Sequence, residues 1–280
     1  MNYNSQNMNL HEHSGVVYLT FPSFDRFGFV RHAFSTRIGG VSQNEFESMN
    51  LNFGRGDSDE NVMENFQRFC VAAGFDRKTL VASSQDHHIF IRRVTAENYG
   101  TGIWKPKDMQ SVDGLITNEP NVTLVTYYAD CVPLYLLDPE NRAIGLAHAG
   151  WRGTVAKMAE KTVQAMVREF GSNPRSMVAA IGPSIGPCCF EVDTPVYEEF
   201  ARLTELRPQE FMVEEDGGKY RINLWEANRR ILVNAGIPAE NITVSQLCTK
   251  CNAEWLYSHR ASGGKRGGLA AMMCITEDKP

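Results

Sequence analysis

The sequence of 280 residues contains no apolar run near the roughly 20 residues that cross a bilayer. It has no excess of positive charge either, since 28 Lys and Arg stand against 33 Asp and Glu, a net charge of −5. This balance argues against a broad basic surface for nucleic acid, but it allows a local basic pocket for phosphate. The polar first residues lack the charged-then-apolar order of a signal peptide. We therefore expect a cytoplasmic protein that binds neither nucleic acid nor membrane.

Signs of disorder or of a disulfide framework are also absent, because 42% of the residues are hydrophobic and only 22% are charged. The seven cysteines are an odd number. In a reducing compartment they favour free thiols, metal ligands or a nucleophile. Neither a repeat nor a linker divides the chain, so we predict a flexible tail over residues 1–15 and a single domain over residues 16–280.

Buried-strand patterns alternate with helical patterns and predict an α/β fold with mixed sheets. Strands are predicted over residues 16–21, 30–35, 80–83 with 89–94 as a continuation, 114–117, 123–128, 132–137, 143–147, 177–181, 243–247 and 269–275. Helices are predicted over residues 58–73, 153–170 and 223–235, with a short one opening at Thr194. Glycines and asparagines between residues 36 and 57 indicate a long ordered loop, and such loops are usually functional or disordered.

Three residues able to bind a metal lie at predicted strand ends, where open α/β sheets bind ligands. His87 lies in QDHHIF, Cys131 separates two apolar strands, and His148 ends a third. Two imidazoles and one thiolate suit catalytic zinc with an open fourth position, or trigonal copper. The wide spacing equally allows a buried core thiol with structural histidines, so the residues alone leave these alternatives open.

The same atoms also permit a cysteine hydrolase. Cys131 could act as the nucleophile and His148 as its general base. Asp113 or Asp130 could then orient the imidazole. Sequence spacing does not separate this dyad from a shared metal.

The segment AHAGWRGT offers a candidate anion site. Gly153 and Thr154 are predicted to open a helix whose free N–H groups favour an anion, and Arg152 adds a bidentate donor. A tight strand-to-helix turn with a surface arginine is the simpler alternative.

Four further cysteines occur as two local pairs. Cys248 and Cys251 form a CxxC motif, which suits half of a zinc site or a redox pair, but no second CxxC is present. We therefore interpret them as ordinary thiols. The adjacent Cys188 and Cys189 lie in a turn bounded by glycine and proline, and we interpret them as structural thiols near the site, since a local disulfide there would be strained.

Several segments appear together in a fixed order: STRIGGVS, SMNLNFGRGD, SSQDHH, DGLITN, ADCVPLYLLDP, AHAGWRGT, IGPSIGPCCFEV and YSHRASGGKRGGLAAM. With them the chain resembles the YlmD/YfiH-like family, also called laccase-domain or polyphenol oxidase proteins. The resemblance extends from Val16 to the C-terminus.

This resemblance implies a four-layer α/β/β/α fold with mixed sheets, similar to the catalytic domain of cytotoxic necrotizing factor. It implies a metal site of His87, Cys131 and His148, holding zinc or, in some accounts, copper. It also implies a purine nucleoside phosphorylase that acts on adenosine, guanosine, inosine and methylthioadenosine, with adenosine deaminase activity. Its partners are then purine nucleosides and phosphate.

Further roles follow from this reading. We expect Arg152 and Arg37 to hold phosphate, with Arg152 and the ligands Cys131 and His148 as the catalytic residues. Asn50, Gln85 and Asp113 are expected to contact substrate. Two neighbours of the first ligand, Asp86 and His88, depart from the family pattern and put substrate preference in doubt. The closing KRGGLAA also departs from it, so Lys265 and Arg266 receive no role.

Three alternatives remain. One is a cysteine hydrolase or amidase that uses Cys131 and His148, with peptidoglycan precursors as candidate substrates. Another is a copper-dependent polyphenol oxidase, although seven histidines are few for a four-copper enzyme. The last is a binding module without turnover.

Overall fold

A computed structural model describes residues 5–277. Its strands are β1 (Asn9–His13), β2 (Val16–Thr20), β3 (Val30–Ser35), β4 (Leu80–Ala82), β5 (Phe90–Arg93), β6 (Val112–Thr117), β7 (Thr123–Tyr128), β8 (Val132–Asp138), β9 (Ala143–Ala149), β10 (Val178–Ile181), β11 (Glu191–Asp193), β12 (Met212–Glu215), β13 (Lys219–Ile222), β14 (Ile242–Val244) and β15 (Leu269–Ile275). Its α-helices are α1 (Pro22–Asp25), α2 (Asp59–Ala73), α3 (Trp151–Val155), α4 (Met158–Phe170), α5 (Thr194–Ala201), α6 (Leu224–Asn234) and α7 (His259–Ser262).

Two six-stranded mixed sheets form the body of the fold. The first has the order β1-β2-β3-β15-β7-β4, and the second has the order β14-β10-β8-β9-β6-β5. Within the first, only β4 and β7 are parallel, whereas β10–β14 and β5–β6 are parallel in the second. The predicted mixed α/β fold is therefore confirmed. The likeness to cytotoxic necrotizing factor stays a prediction.

The two sheets pack face to face, and helices cover their outer faces. Along β15, Ala271 and Met273 face the second sheet, whereas Ala270 and Met272 face α2. Along β8, Tyr135 faces the first sheet, while its neighbours face α4 and α6. Alternate residues of one strand thus enter different cores. This explains why these strands read as continuous apolar runs.

Helix α2 begins and ends where the sequence predicts. The Ser58 side chain accepts a hydrogen bond from the N–H of Asn61 at 3.1 Å, and Gly74 ends the helix with a left-handed φ of 75°. The preceding loop is ordered by buried polar contacts. The Asn65 amide donates to the carbonyl of Asn50, and the Asp57 carboxylate accepts from the Asn50 amide.

The prediction of a flexible tail over residues 1–15 is wrong for β1. This strand pairs with β2 along its full length as the edge of the first sheet. Its side chains are mostly exposed and polar, as in a flexible tail. An edge strand is held by hydrogen bonds between backbones and needs few buried apolar side chains, so its sequence resembles that of a tail. Residues 1–4 of the predicted tail and residues 278–280 of the predicted domain lie outside the described residues. The single-domain assignment stays a prediction.

Two other elements differ from their predictions. The helix predicted over residues 153–170 is divided into α3 and α4, because Lys157 adopts a left-handed φ of 60°. The strand over 89–94 does not continue β4, since β4 and β5 belong to different sheets. A small sheet, β11-β13-β12, was not predicted at all.

No helix within residues 5–277 is both long enough and apolar enough to cross a bilayer.

Candidate functional site

His87, Cys131 and His148 converge at one point. His148 lies near the end of β9, Cys131 lies between β7 and β8, and His87 lies in the loop after β4. One ligand atom from each falls within 4.8 Å of the others, and the two imidazole centroids are 5.0 Å apart. His148 is buried, Cys131 is partly buried and His87 is exposed, so the group opens to solvent on one side.

Asp113 orients both histidines. Its fully buried carboxylate accepts a hydrogen bond from His148 Nδ1 at 2.8 Å. This contact fixes the tautomer that leaves Nε2 as the coordinating or basic nitrogen. The same carboxylate accepts from the backbone N–H of His87 at 3.2 Å and from that of His88 at 3.0 Å. The Asp113 oxygens are thus engaged by both histidine segments, and its predicted contact with substrate stays a prediction.

The backbone of His87 is strained, as is that of Asp130 beside Cys131, with a φ of 84°. The φ of 69° at His87 lies in the left-handed region, which a non-glycine residue rarely adopts. The N–H groups donated to Asp113 hold this conformation and aim the imidazole at Cys131. Strain held by surrounding contacts is typical of a functional position.

Gly150 allows the turn after β9 to pass directly beneath the ligands. A Cβ at this position would lie 3.0 Å from His87 Nδ1 and 3.1 Å from Cys131 Sγ. The glycine of AHAGWRG is thus required by close approach of the backbone to the ligands.

The three groups also influence one another electrostatically. Burial by itself lowers the pKa of His148, but the nearby Cys131 sulfur and the Asp113 carboxylate outweigh it and raise that pKa to about 9. Burial and the neighbouring His148 lower the pKa of His87, with a smaller effect from Arg152. In the protein without a bound cation, His148 is therefore held toward its protonated form.

The donor set fits a mononuclear metal. Two imidazoles and one thiolate, with a carboxylate behind one imidazole, are the ligand types that zinc prefers at catalytic centres. The exposed side of His87 leaves room for a fourth ligand. Copper accepts the same donors, so the donor set does not identify the ion.

A cavity of about 300 Å³ opens beside these ligands. Its walls are formed by Asn52, Phe53, Gly54, Arg55, Gln85, His87, Lys107, Tyr127, Tyr128, Ala129, Cys131, His148 and Arg266. Of the metal-type ligands, His148 lies on the second sheet, whereas His87 and Cys131 lie in connections that lead from the first sheet to the second. Asn52, Arg55 and Arg266 come from loops that border the first sheet. The cavity therefore has one wall with histidine and cysteine and another wall with arginine.

Arg266 is the most unusual residue of that second wall. It is only 8% exposed, and its Nε has no hydrogen-bond partner among residues 5–277. Burial and the neighbouring Arg55 lower its pKa to about 10. A buried guanidinium with a free donor, near a second arginine, is suited to an anion.

The predicted substrate residues differ in where they lie. Gln85 lines the cavity, but its side chain is held by the backbone of Tyr127, donating at 2.7 Å and accepting at 2.6 Å. Asn50 is fully buried and accepts from the N–H groups of Asn52 and Gly268. Its polar atoms are paired and it is not among the described residues that line the cavity, so its predicted contact with substrate stays a prediction.

The two predicted phosphate-binding arginines are not among the described residues that line this cavity. Arg37 donates to the carbonyls of Glu47 and Ala253 and borders a neighbouring cavity of about 230 Å³ that shares Arg266. Arg152 is exposed, with its guanidinium 4.3 Å from the Trp151 ring. The helix also begins at Trp151, so Gly153 is not its first residue. Their roles in binding phosphate stay predictions.

Sequence reasoning missed the arginine wall of the cavity. Arg266 was set aside because KRGGLAA departs from the family pattern, and Arg55 lay in a long loop without a distinctive motif. The two glycines of KRGG are the available signal, since Gly267 and Gly268 let this loop pack closely against Asn50 and Asn52 of the other loop. A Cβ at Gly268 would lie 2.5 Å from that of Asn52.

A larger cavity of about 620 Å³ lies elsewhere, between Arg31, Asp76 and Tyr99. None of the residues described around it belongs to a cluster of metal ligands. Size alone therefore does not identify the site here.

Fold and site together define an α/β protein with a candidate mononuclear metal centre beside a cationic cavity. The family model described as multi-copper polyphenol oxidoreductase laccase matches residues 31–276. The chain belongs to this laccase-domain family, which confirms the resemblance noted from the sequence.

Similar proteins support the same assignment. Purine nucleoside phosphorylase YlmD of Bacillus subtilis is 36% identical over 245 residues, covering 87% of this chain and 88% of the relative. Adenosine deaminase RL5, from an unknown prokaryotic organism, is 34% identical over 238 residues, covering 84% and 90%. The crystal structure of Bacillus licheniformis protein YfiH matches with a TM-score of 0.89 at 33% identity, covering 95% of this chain and 99% of that one.

Proposed function

We propose that the cavity beside His87, Cys131 and His148 is the active site of a zinc-dependent purine nucleoside phosphorylase. Its proposed substrates are adenosine, guanosine, inosine and methylthioadenosine, and it also deaminates adenosine. The observation that carries the proposal is the pairing of a metal-type donor set with the buried guanidinium of Arg266 across one cavity. The names of YlmD and RL5 support the two activities.

Phosphorolysis requires an anion held close to a sugar. An oxygen of phosphate bonds to C1′ of the ribose, and the base leaves with the electrons of the glycosidic bond and gains a proton. Arg266 and Arg55 would bind the phosphate and hold its negative charge, with Lys107 at the cavity mouth. Burial of Arg266 strengthens this interaction, because the local dielectric is lower than that of water.

His87, Cys131 and His148 would hold the zinc ion, which supplies Lewis acidity and water activation when it is bound. Asp113 keeps His148 in the coordinating tautomer, and Gln85 fixes the strand edge at Tyr127. The aromatic rings of Phe53, Tyr127 and Tyr128 line the same cavity and suit the flat faces of a purine. Copper in place of zinc would favour the polyphenol oxidase alternative.

The test incubates the purified protein with each nucleoside, with and without phosphate, and separates free bases from deaminated nucleosides. We expect adenine from adenosine only with phosphate, and inosine without it. His87→Ala, Cys131→Ala and His148→Ala should lose both reactions together, and His13→Ala on the exposed edge strand should lose neither. If neither base nor inosine forms with metal-loaded protein, the proposal is wrong.

One observation favours a second candidate, a cysteine hydrolase or amidase. Cys131, His148 and Asp113 form a nucleophile, base and orienting carboxylate, and the pKa of His148 is raised to about 9 although burial opposes it. Chelation separates the two candidates. Hydrolysis of an amide substrate that survives removal of metal and requires Cys131 would favour the dyad, while loss of all turnover would favour the metal enzyme.

A further inference from the structure

A second group of metal-type ligands lies outside the candidate active site. Cys188, Cys189, Cys248 and Cys251 each place a sulfur within 4.8 Å of the other three. Cys188 and Cys189 lie in one loop, and Cys248 and Cys251 lie in another about sixty residues later. The contact between these two loops brings the four cysteines together. Four sulfurs at one point are a common ligand set for structural zinc.

The distances suit a shared ion. Cys251 Sγ lies 3.5 Å from Cys188 Sγ and 3.4 Å from Cys189 Sγ. In a tetrahedral site with Zn–S bonds of about 2.3 Å, neighbouring sulfurs are about 3.8 Å apart. A disulfide would bond Cys251 to one of two nearly equidistant sulfurs and leave the others unused, whereas an ion engages all four.

The loops that carry the cysteines are already held in place. Ser184 and Cys248 form a parallel bridge, in which Ser184 N–H donates to the Leu247 carbonyl at 3.2 Å and Thr249 N–H donates to the Ser184 carbonyl at 3.0 Å. Gly186 N–H donates to Cys248 Sγ at 3.2 Å, and a Cβ at Gly186 would lie 3.1 Å from that of Cys248. N–H donors directed at sulfur stabilise a thiolate ligand.

The surrounding charge also fits. Four thiolates with one divalent zinc carry a net charge of −2. Arg260 donates to the Cys189 carbonyl at 3.4 Å, and Arg221 donates to the Cys188 carbonyl. Arg260, with Lys250 inside the CxxC segment, provides compensating charge next to the site, while Arg221 also pairs with Glu215.

We infer that Cys188, Cys189, Cys248 and Cys251 bind a second zinc ion with a structural role. Binding releases the thiol protons to solvent and leaves no open position for substrate. The site is coupled to the candidate active site through Asp130, the residue before Cys131. The Asp130 carboxylate accepts from Thr249 Oγ1 at 2.6 Å and from the Arg260 N–H at 2.7 Å. The ion would thus fix the two loops that hold Asp130.

Elemental analysis of the full chain after dialysis tests the inference. We expect two zinc ions per chain in the wild type, one in Cys251→Ala and one in Cys131→Ala. Cys70→Ala, which removes a buried cysteine of α2 that belongs to neither group, should retain both. A folded Cys131→Ala protein without zinc, or a Cys251→Ala protein with the full wild-type content, would overturn the inference.

Two measurements guard against a variant that fails to fold. Cobalt loaded into Cys131→Ala should give the intense charge-transfer absorption of a thiolate-only site, and Cys188→Ala in the same background should weaken it. All seven cysteines of the wild type should react with a thiol reagent after denaturation with chelator. Two missing thiols would indicate a disulfide and contradict the zinc site. Neither result depends on nucleoside turnover, so the proposed phosphorylase can fail while this inference stands.

Discussion

At the scale of single residues, the site depends on a carboxylate that is hydrogen-bonded to the segments of two candidate ligands. Asp113 is fully buried on β6. Its carboxylate accepts hydrogen bonds from the His148 ring and from the backbone N–H groups of Asp86, His87 and His88. One residue therefore sets the orientation of two ligands that are far apart in sequence. Its removal should alter metal binding more than folding of the surrounding sheet.

Asp113→Asn should lower zinc affinity by roughly 10- to 100-fold, because the amide cannot accept from all of its present donors. Competition with a chromophoric chelator measures this change. Asp108→Asn is the matched control, since Asp108 is an exposed carboxylate that pairs with Arg92. Equal zinc affinity in Asp113→Asn and the wild type would contradict the positioning role.

Arg266→Gln should raise the Michaelis constant for phosphate by about 10- to 100-fold, the usual effect of losing a charged hydrogen-bond donor. Deamination consumes no phosphate and should change much less. Arg152→Gln, on the exposed turn, is the comparison. A larger phosphate effect from Arg152 than from Arg266 would contradict the role proposed for Arg266 and support the assignment of Arg152 made from the sequence.

The sequence identifies the three candidate ligands, because each lies in a distinctive motif at a strand end. It does not predict that Asn50 is fully buried and paired with backbone groups, since an amide that caps backbone groups looks the same in sequence as one that binds substrate. Arg266 could not be predicted either, because its importance comes from burial and a missing partner. Both properties arise from the packing of loops, which no local pattern encodes.

At the scale of elements, the strand-to-helix turn after β9 packs directly against the candidate ligands. Gly150→Ala should weaken metal binding and both proposed activities, because its Cβ would lie within 3.1 Å of Cys131 Sγ and at 3.0 Å from His87 Nδ1. Gly153→Ala is the matched control, since its nearest neighbour would be 3.5 Å away. Zinc content and turnover of the two variants should differ, and equal values would argue against the close-approach explanation.

The elements that were predicted well carry strong local signals. The α2 helix has a capping serine and a terminal glycine, and β15 is an apolar run that coincides with its predicted range. The elements that were missed depend on distant partners. β1 exists because β2 offers its edge, and the break before α4 is a single left-handed residue within a continuous helical pattern.

At the scale of the whole molecule, stability should depend on pH through His32. Its ring is 4% exposed between Phe21, Phe24 and Tyr135, and Nε2 accepts the Phe21 N–H at 2.6 Å. Burial lowers the pKa of His32 to about 4, although Asp25 opposes this effect. The unfolded chain therefore binds this proton more readily than the folded protein does.

As pH falls from about 6.5 to about 4, the free energy of unfolding should lose roughly 3 kcal/mol from this residue alone. His32→Gln keeps an acceptor and should have a shallower pH dependence, measured by urea unfolding at about pH 7.5 and about pH 5. His13→Gln, on the exposed edge strand, should behave as the wild type does. An unchanged slope in His32→Gln would show that other groups cause the loss.

The division of the cavity between two sheets has a consequence for how relatives diverge. His148 lies on the second sheet and the arginine wall borders the first, so the apolar layer between the sheets sets the separation of His148 from the arginines. A change of volume at Phe34 or Leu146, inside that layer, would shift one wall against the other. Natural selection could therefore adjust substrate range through buried apolar positions while every residue that lines the cavity stays the same.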